Sequence, residues 1–229
     1  MTLTAQATPT AAPQAFLRST IGRKIVMAVT GVILVGFVIA HMTGNLLVFL
    51  GPEAIRNYAL WLRAVAHGAG LWIARAVLLA SVLLHIWAAA SLTLASRRAR
   101  RVRYQEWQPR ASTLYSRTMR WTGVLLLAYI VYHLLHMTFG IVHPDFVELQ
   151  PYHNLVVGFR DRAVAVTYIV AMILLAFHLD HGIWSMVRTL GLSHPRYVPM
   201  VRKLSVAIAV IVALGYISIP VAVLAGVLR

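Results

Sequence analysis

The sequence predicts an all-α integral membrane bundle of five transmembrane helices, with the N-terminus in the cytoplasm and the C-terminus outside. Three observations predict it. Of 229 residues, 60% are hydrophobic and only 12% charged, and the mean hydropathy of +0.75 lies far outside the range of a soluble domain. Five apolar stretches are each long enough to cross a bilayer, which takes about 20 helical residues. Lys and Arg gather in alternate connections between these stretches.

Residues 1–17 are rich in Ala, Thr and Pro and lack both a basic start and an apolar h-region, so they read as a disordered tail. Residues 18–229 form one domain with spans at about 25–50, 71–96, 121–142, 163–187 and 204–228, the first acting as its own insertion signal. Arg18, Arg23 and Lys24, the eight arginines from Arg97 to Arg120, and Arg188, Arg196, Arg202 and Lys203 make up 15 of the 21 basic residues. The positive-inside rule puts these segments in the cytoplasm, where headgroup anchoring also suits them. The net charge of +15 follows from this topology. Nucleic acid is excluded as a partner because no segment builds a basic aqueous domain. With no cysteine, the chain has no disulfides, no thiol chemistry and no iron–sulfur ligands of its own.

The first four spans each carry histidine deep in apolar sequence: His41, His85, His133 with His136, and His178 with His181. A polar side chain at that depth costs a few kcal/mol unless compensated, and one histidine alone reads as a helix–helix hydrogen bond. Four spans doing this together point to function. His41 lies 17 residues beyond Lys24 and His133 lies 13 beyond Arg120, roughly 26 and 20 Å from the cytoplasmic charges. His85 precedes Arg97 by 12 residues and His178 precedes Arg188 by 10, roughly 18 and 15 Å. Two imidazoles in the outer half and two nearer the cytoplasm suit two stacked b-type haems, each gripped from opposite helices.

An internal echo bears on the choice within the third span. TGVILVGFVIAH (30–41) and TGVLLLAYIVYH (122–133) align His41 with His133, while His136 matches His41 better in depth and remains the alternative. Gly31 and Gly123 are expected to serve close helix or porphyrin packing. In AFHLDHGIWS, His178 is preferred to the shallower His181, which reads as a polar pair with Asp180 near the membrane surface.

HMTGNL, LLHIWAA, RWTG with YHLLHMTFG, and YIV with FHLDHGIWS and TLG resemble the single-chain, five-helix di-haem cytochrome b anchor of succinate dehydrogenases and quinol:fumarate reductases. The resemblance covers nearly everything past the tail. It implies a distal haem b on His41 and His133, a proximal haem b on His85 and His178, and flavoprotein and iron–sulfur subunits docked at the cytoplasmic face. It further implies a quinone substrate, often menaquinone, a bacterial cytoplasmic (inner) membrane surrounded by lipid, and a complex able to form higher oligomers. Glu53 in GPEAIRNYA lies where the family's distal quinone chemistry uses a carboxylate; the plainer reading is a solvated loop carboxylate paired with Arg56. Ala176 stands two residues before His178, where some fumarate reductases have a glutamate linked to proton movement, so that proton route is not carried over.

The chain has no flavin motif, no Arg/His cluster for a dicarboxylate and no thiolates, so succinate oxidation belongs to a partner and this subunit relays electrons. Competing readings are a haem-free anchor, a transporter whose histidines relay protons, and the cytochrome subunit of nitrate reductase. The last uses ligands in its final helix, and the fifth span here has no histidine.

Overall fold

The computed structural model describes residues 16–99, 114–192 and 194–229. Most of the proposed tail, and the middle of the basic connection between the second and third spans, lie outside the described residues. Among the described residues, seven helices of ten residues or more follow one another: α1 (Thr20–Leu46), α2 (Pro52–Ala64), α3 (Ala69–Arg98), α4 (Leu114–His133), α5 (Pro151–Arg160), α6 (Arg162–Thr189) and α7 (Val198–Leu224). Helices α1, α3, α4, α6 and α7 supply five spans of sufficient length and apolarity to cross a membrane. The five expected spans are therefore present, and no strand occurs among the described residues.

The ends of the spans follow local chemistry. Ser19 caps α1 by accepting from the Gly22 amide, and Asp161 caps α6 by accepting from Ala163 and Val164. The third span stops at Thr138 and not at 142: a single wide turn of π form, Leu134–Thr138, ends it before Gly140 at φ +69°. The fifth span starts earlier than expected, at Val198, because Pro199 sits in the first turn, where its missing amide costs nothing. It ends before Gly226, at φ +72°.

Two connections expected as loops contain helices. The amphipathic α2 buries Ile55, and α5 buries Val156 and Phe159, so both close the same end of the bundle. This is called the loop end, and the opposite end, carrying Lys24, Arg97, Arg188 and Arg202, the basic end. Between α2 and α3 the chain reverses through Ala66, His67 and Gly68, all at positive φ.

Helix α1 packs on α3, α6 and α7, and α6 packs on α4 and α7. Among the described residues, α3 and α4 share little or no contact. The first four spans thus make three sides of a square, α3–α1–α6–α4, with the fourth side open. A core of Met42, Leu179, Ile183, Ala209 and Val212 joins α1, α6 and α7. A second core, around Val48, Ile55, Phe159, Tyr168 and Ile219, fills the loop end. Outward faces are apolar, with Trp72, Leu79 and Trp121 exposed, as lipid requires.

Candidate functional site

The square has two diagonals, α1 to α4 and α3 to α6, and neither pair of helices is packed directly together. Each diagonal is bridged by two imidazoles. His41 of α1 and His133 of α4 have ring centroids 6.0 Å apart, edge to face. His85 of α3 and His178 of α6 have centroids 6.4 Å apart. The structure therefore brings together the two pairs that the sequence grouped by depth, with His85–His178 toward the basic end and His41–His133 toward the loop end.

The geometry suits a group bound from both sides. Two imidazoles, each about 2 Å from a single metal through a ring nitrogen, place their ring centroids roughly 6 Å apart. All four rings are half-buried, as side chains facing a slot are. Among the described residues no group of three or more His, Cys, Asp or Glu side chains is arranged to hold a metal ion. The donors thus come as opposed pairs, a pattern suited to a metal whose remaining ligands belong to a prosthetic group.

What surrounds each pair differs. Thr30 of α1 places Oγ1 3.1 Å from His85 Nδ1, and Thr122 of α4 places Oγ1 3.4 Å from His178 Nδ1. A Cβ on Gly31 would lie 3.8 Å from His85 Cε1, and one on Gly123 3.7 Å from His178 Cε1. The Thr-Gly start of each echo therefore lies against the histidine of the packed neighbouring helix. Close packing was expected of these glycines; the service of each Thr-Gly to the other histidine pair was not, because it crosses between helices.

At the loop end, aromatic rings take over. Phe37 stacks on His41 at 5.2 Å and Tyr129 on His133 at 5.8 Å. Tyr168 stands 3.3 Å from His133 Nδ1 and 2.9 Å from His136 Nδ1. His136 is fully buried, stacked on Tyr132 and on His143, and its Nε2 has no hydrogen-bond partner among the described residues. His41 meets His133, not His136. Beside His41 a cavity of about 180 Å³ opens between α1, α2 and α3, lined among others by Asn45, Tyr58, Arg63 and Arg75.

His181 points into a second cavity, of about 490 Å³ at the basic end, with Lys24, Trp184, Ser185 and Arg188. It shares no hydrogen bond or ion pair with its chain neighbour Asp180. Successive helical side chains diverge by about 100°, and Asp180 instead faces α7, where its carboxylate accepts from Arg202 at 2.8 Å and from Ser205 at 2.9 Å. Glu53 sits exposed in the first turn of α2, favoured there by the helix dipole. Its carboxylate makes no ion pair with Arg56 and lines neither cavity.

The family described as succinate dehydrogenase/fumarate reductase transmembrane subunit matches residues 94–217, more than half of the chain. The chain belongs to that family. The match takes in His133, His136, His178 and His181 and stops short of α1 and most of α3. Neither the curated proteins nor the solved structures give a significant match. As a succinate dehydrogenase/fumarate reductase transmembrane subunit, the chain is a multi-pass membrane anchor of a complex with other subunits.

Proposed function

We propose that this anchor subunit is a di-haem cytochrome b that carries electrons between a partner iron–sulfur subunit and a membrane quinone. The observation that carries the reading is the spacing of the two imidazole pairs, 6.0 and 6.4 Å across the diagonals of the bundle. His85 and His178 would hold the proximal haem b, and His41 and His133 the distal haem b. Held by these two histidine pairs, the haems would supply one-electron redox chemistry.

The chain's own residues do the holding and the shielding. Helices α1 and α6 form the packed wall of the slot, while lipid-facing apolar side chains keep water out from the sides. The basic end, facing the cytoplasm by the positive-inside rule, is the docking face for the iron–sulfur subunit and, beyond it, a flavoprotein. A bacterial cytoplasmic membrane fits this arrangement. The cavity beside His41 supports a quinone position, menaquinone being the quinone that the sequence resemblance implies, with Asn45, Tyr58, Arg63 and Arg75 as polar contacts. Glu53 stands outside that cavity, at the start of α2.

The test is a reduced-minus-oxidised spectrum of the purified complex, followed by addition of succinate and then a quinone. A b-type α band that appears with succinate and fades with quinone is expected. A complex with its partner subunits present and no α band would leave a haem-free anchor as the function.

A further inference from the structure

A Thr-Gly pair opens each echo, and neither threonine belongs to an imidazole pair. Both are buried, Thr30 at 4% exposure and Thr122 at 3%. A threonine hydroxyl has one proton and two lone pairs. In a helix that proton is normally given to a carbonyl three or four residues back. Thr30 Oγ1 lies 2.8 Å from Val26 O and 3.1 Å from Met27 O, and Thr122 Oγ1 lies 3.0 Å from Met119 O. With the proton committed there, what each hydroxyl offers the neighbouring imidazole is a lone pair. The nitrogen it meets is Nδ1 in both cases.

We propose that Thr30 and Thr122 are positioning residues that accept a hydrogen bond from Nδ1 of His85 and His178, fixing the tautomer in which Nε2 presents its lone pair to the iron. The inference rests on the haem reading above and goes beyond it. An imidazole bound to metal through Nε2 keeps its proton on Nδ1, and at this depth that proton needs an acceptor from the protein. Each threonine comes from the helix packed beside its histidine, α1 beside α3 and α4 beside α6, so the rings are set by packed neighbours before they meet across the diagonal. Accepting from Nδ1 also makes the ligand a stronger donor to ferric iron, which lowers the potential of that centre.

The experiment uses the whole complex purified with Thr30→Val or Thr122→Val. Thr30→Ser and Thr122→Ser keep the hydroxyl, and Thr167→Val, on an exposed threonine that bonds only its own helix, is the control. The readouts are haem content, a redox titration and the low-spin ferric EPR spectrum. In both Val variants the proximal haem is expected to rise in midpoint potential with a changed EPR signal, or to be lost, while the distal haem is untouched; Ser restores the wild-type values. Wild-type potentials and EPR in both Val variants, or Ser variants that behave like Val, overturn the proposal and leave the haem reading standing. A wild-type complex without b-type haem overturns the haem reading, and this proposal with it.

Discussion

The two imidazole pairs of one bundle are held in opposite ways. Toward the basic end, His85 and His178 each rest on a Thr-Gly pair from a packed neighbour, and the two halves mirror one another. Toward the loop end, His133 leans on Tyr168 and Tyr129, whereas His41 stacks on Phe37 and borders a polar cavity. The symmetric pair rests on small and hydroxyl side chains. The asymmetric pair is built from aromatic rings and has one side open. Under the proposed function, the pair that would only pass electrons gains from equal fixed supports, while the pair beside the cavity would need an opening for a substrate. The difference teaches that an echo in sequence need not give equal surroundings: the same TGV…H repeat supplies a threonine to one level of the bundle and a histidine to the other.

The strongest way to break the comparison is to remove a member of one pair. His85→Ala or His178→Ala is expected to abolish the proximal haem and halve haem content while sparing the distal one, because the pairs share no side chain. Loss of both haems from either variant would show that the levels are not independent. Next comes the tie between α6 and α7. Asp180→Ala removes the acceptor of Arg202 and Ser205 and is expected to cost about 2 kcal/mol, read as an earlier unfolding transition in detergent. The variant should loosen the proximal haem before the distal one, since Asp180 lies two residues from His178.

Tyr168→Phe is a smaller change. It deletes the hydroxyl that reaches both His133 and His136, at a cost of about 1 kcal/mol, and is expected to shift the distal potential alone in a redox titration. Smallest are Gly123→Ala and Glu53→Gln. An added methyl at position 123 would meet His178 at ordinary van der Waals distance, and Glu53 is exposed, so haem content and quinone turnover should stay at wild-type levels. Gly44→Ala serves as contrast, because its Cβ would collide with the Tyr58 ring.

Much of this was legible in the sequence because lipid leaves few options. Five apolar runs must be helices, and depth along a helix is arithmetic, so the grouping of His41 with His133 and His85 with His178 needed only residue counts. What escaped was everything set by direction around a helix or by contact between helices. Asp180 adjoins His181 in the chain yet bonds Arg202, because one residue is about 100° of rotation. The wide turn at Leu134–Thr138 buries His136 under Tyr132, and no spacing rule forecasts that turn. Glu53 lies in a helix where GPEA read as a loop, although Pro directly after Gly is a recognisable helix start. Thr30 and Thr122 were visible as a repeated dipeptide, but their partners lie 55 and 56 residues away.

The central claim is that four imidazoles form two opposed pairs, each closing on one iron. Haem counted per chain by pyridine haemochrome, in the wild-type complex and in one doubly substituted at His41 and His85, tests it most directly. The account predicts two haems in the first and none in the second; no haem in the wild type, or an unchanged count after the double substitution, would contradict it.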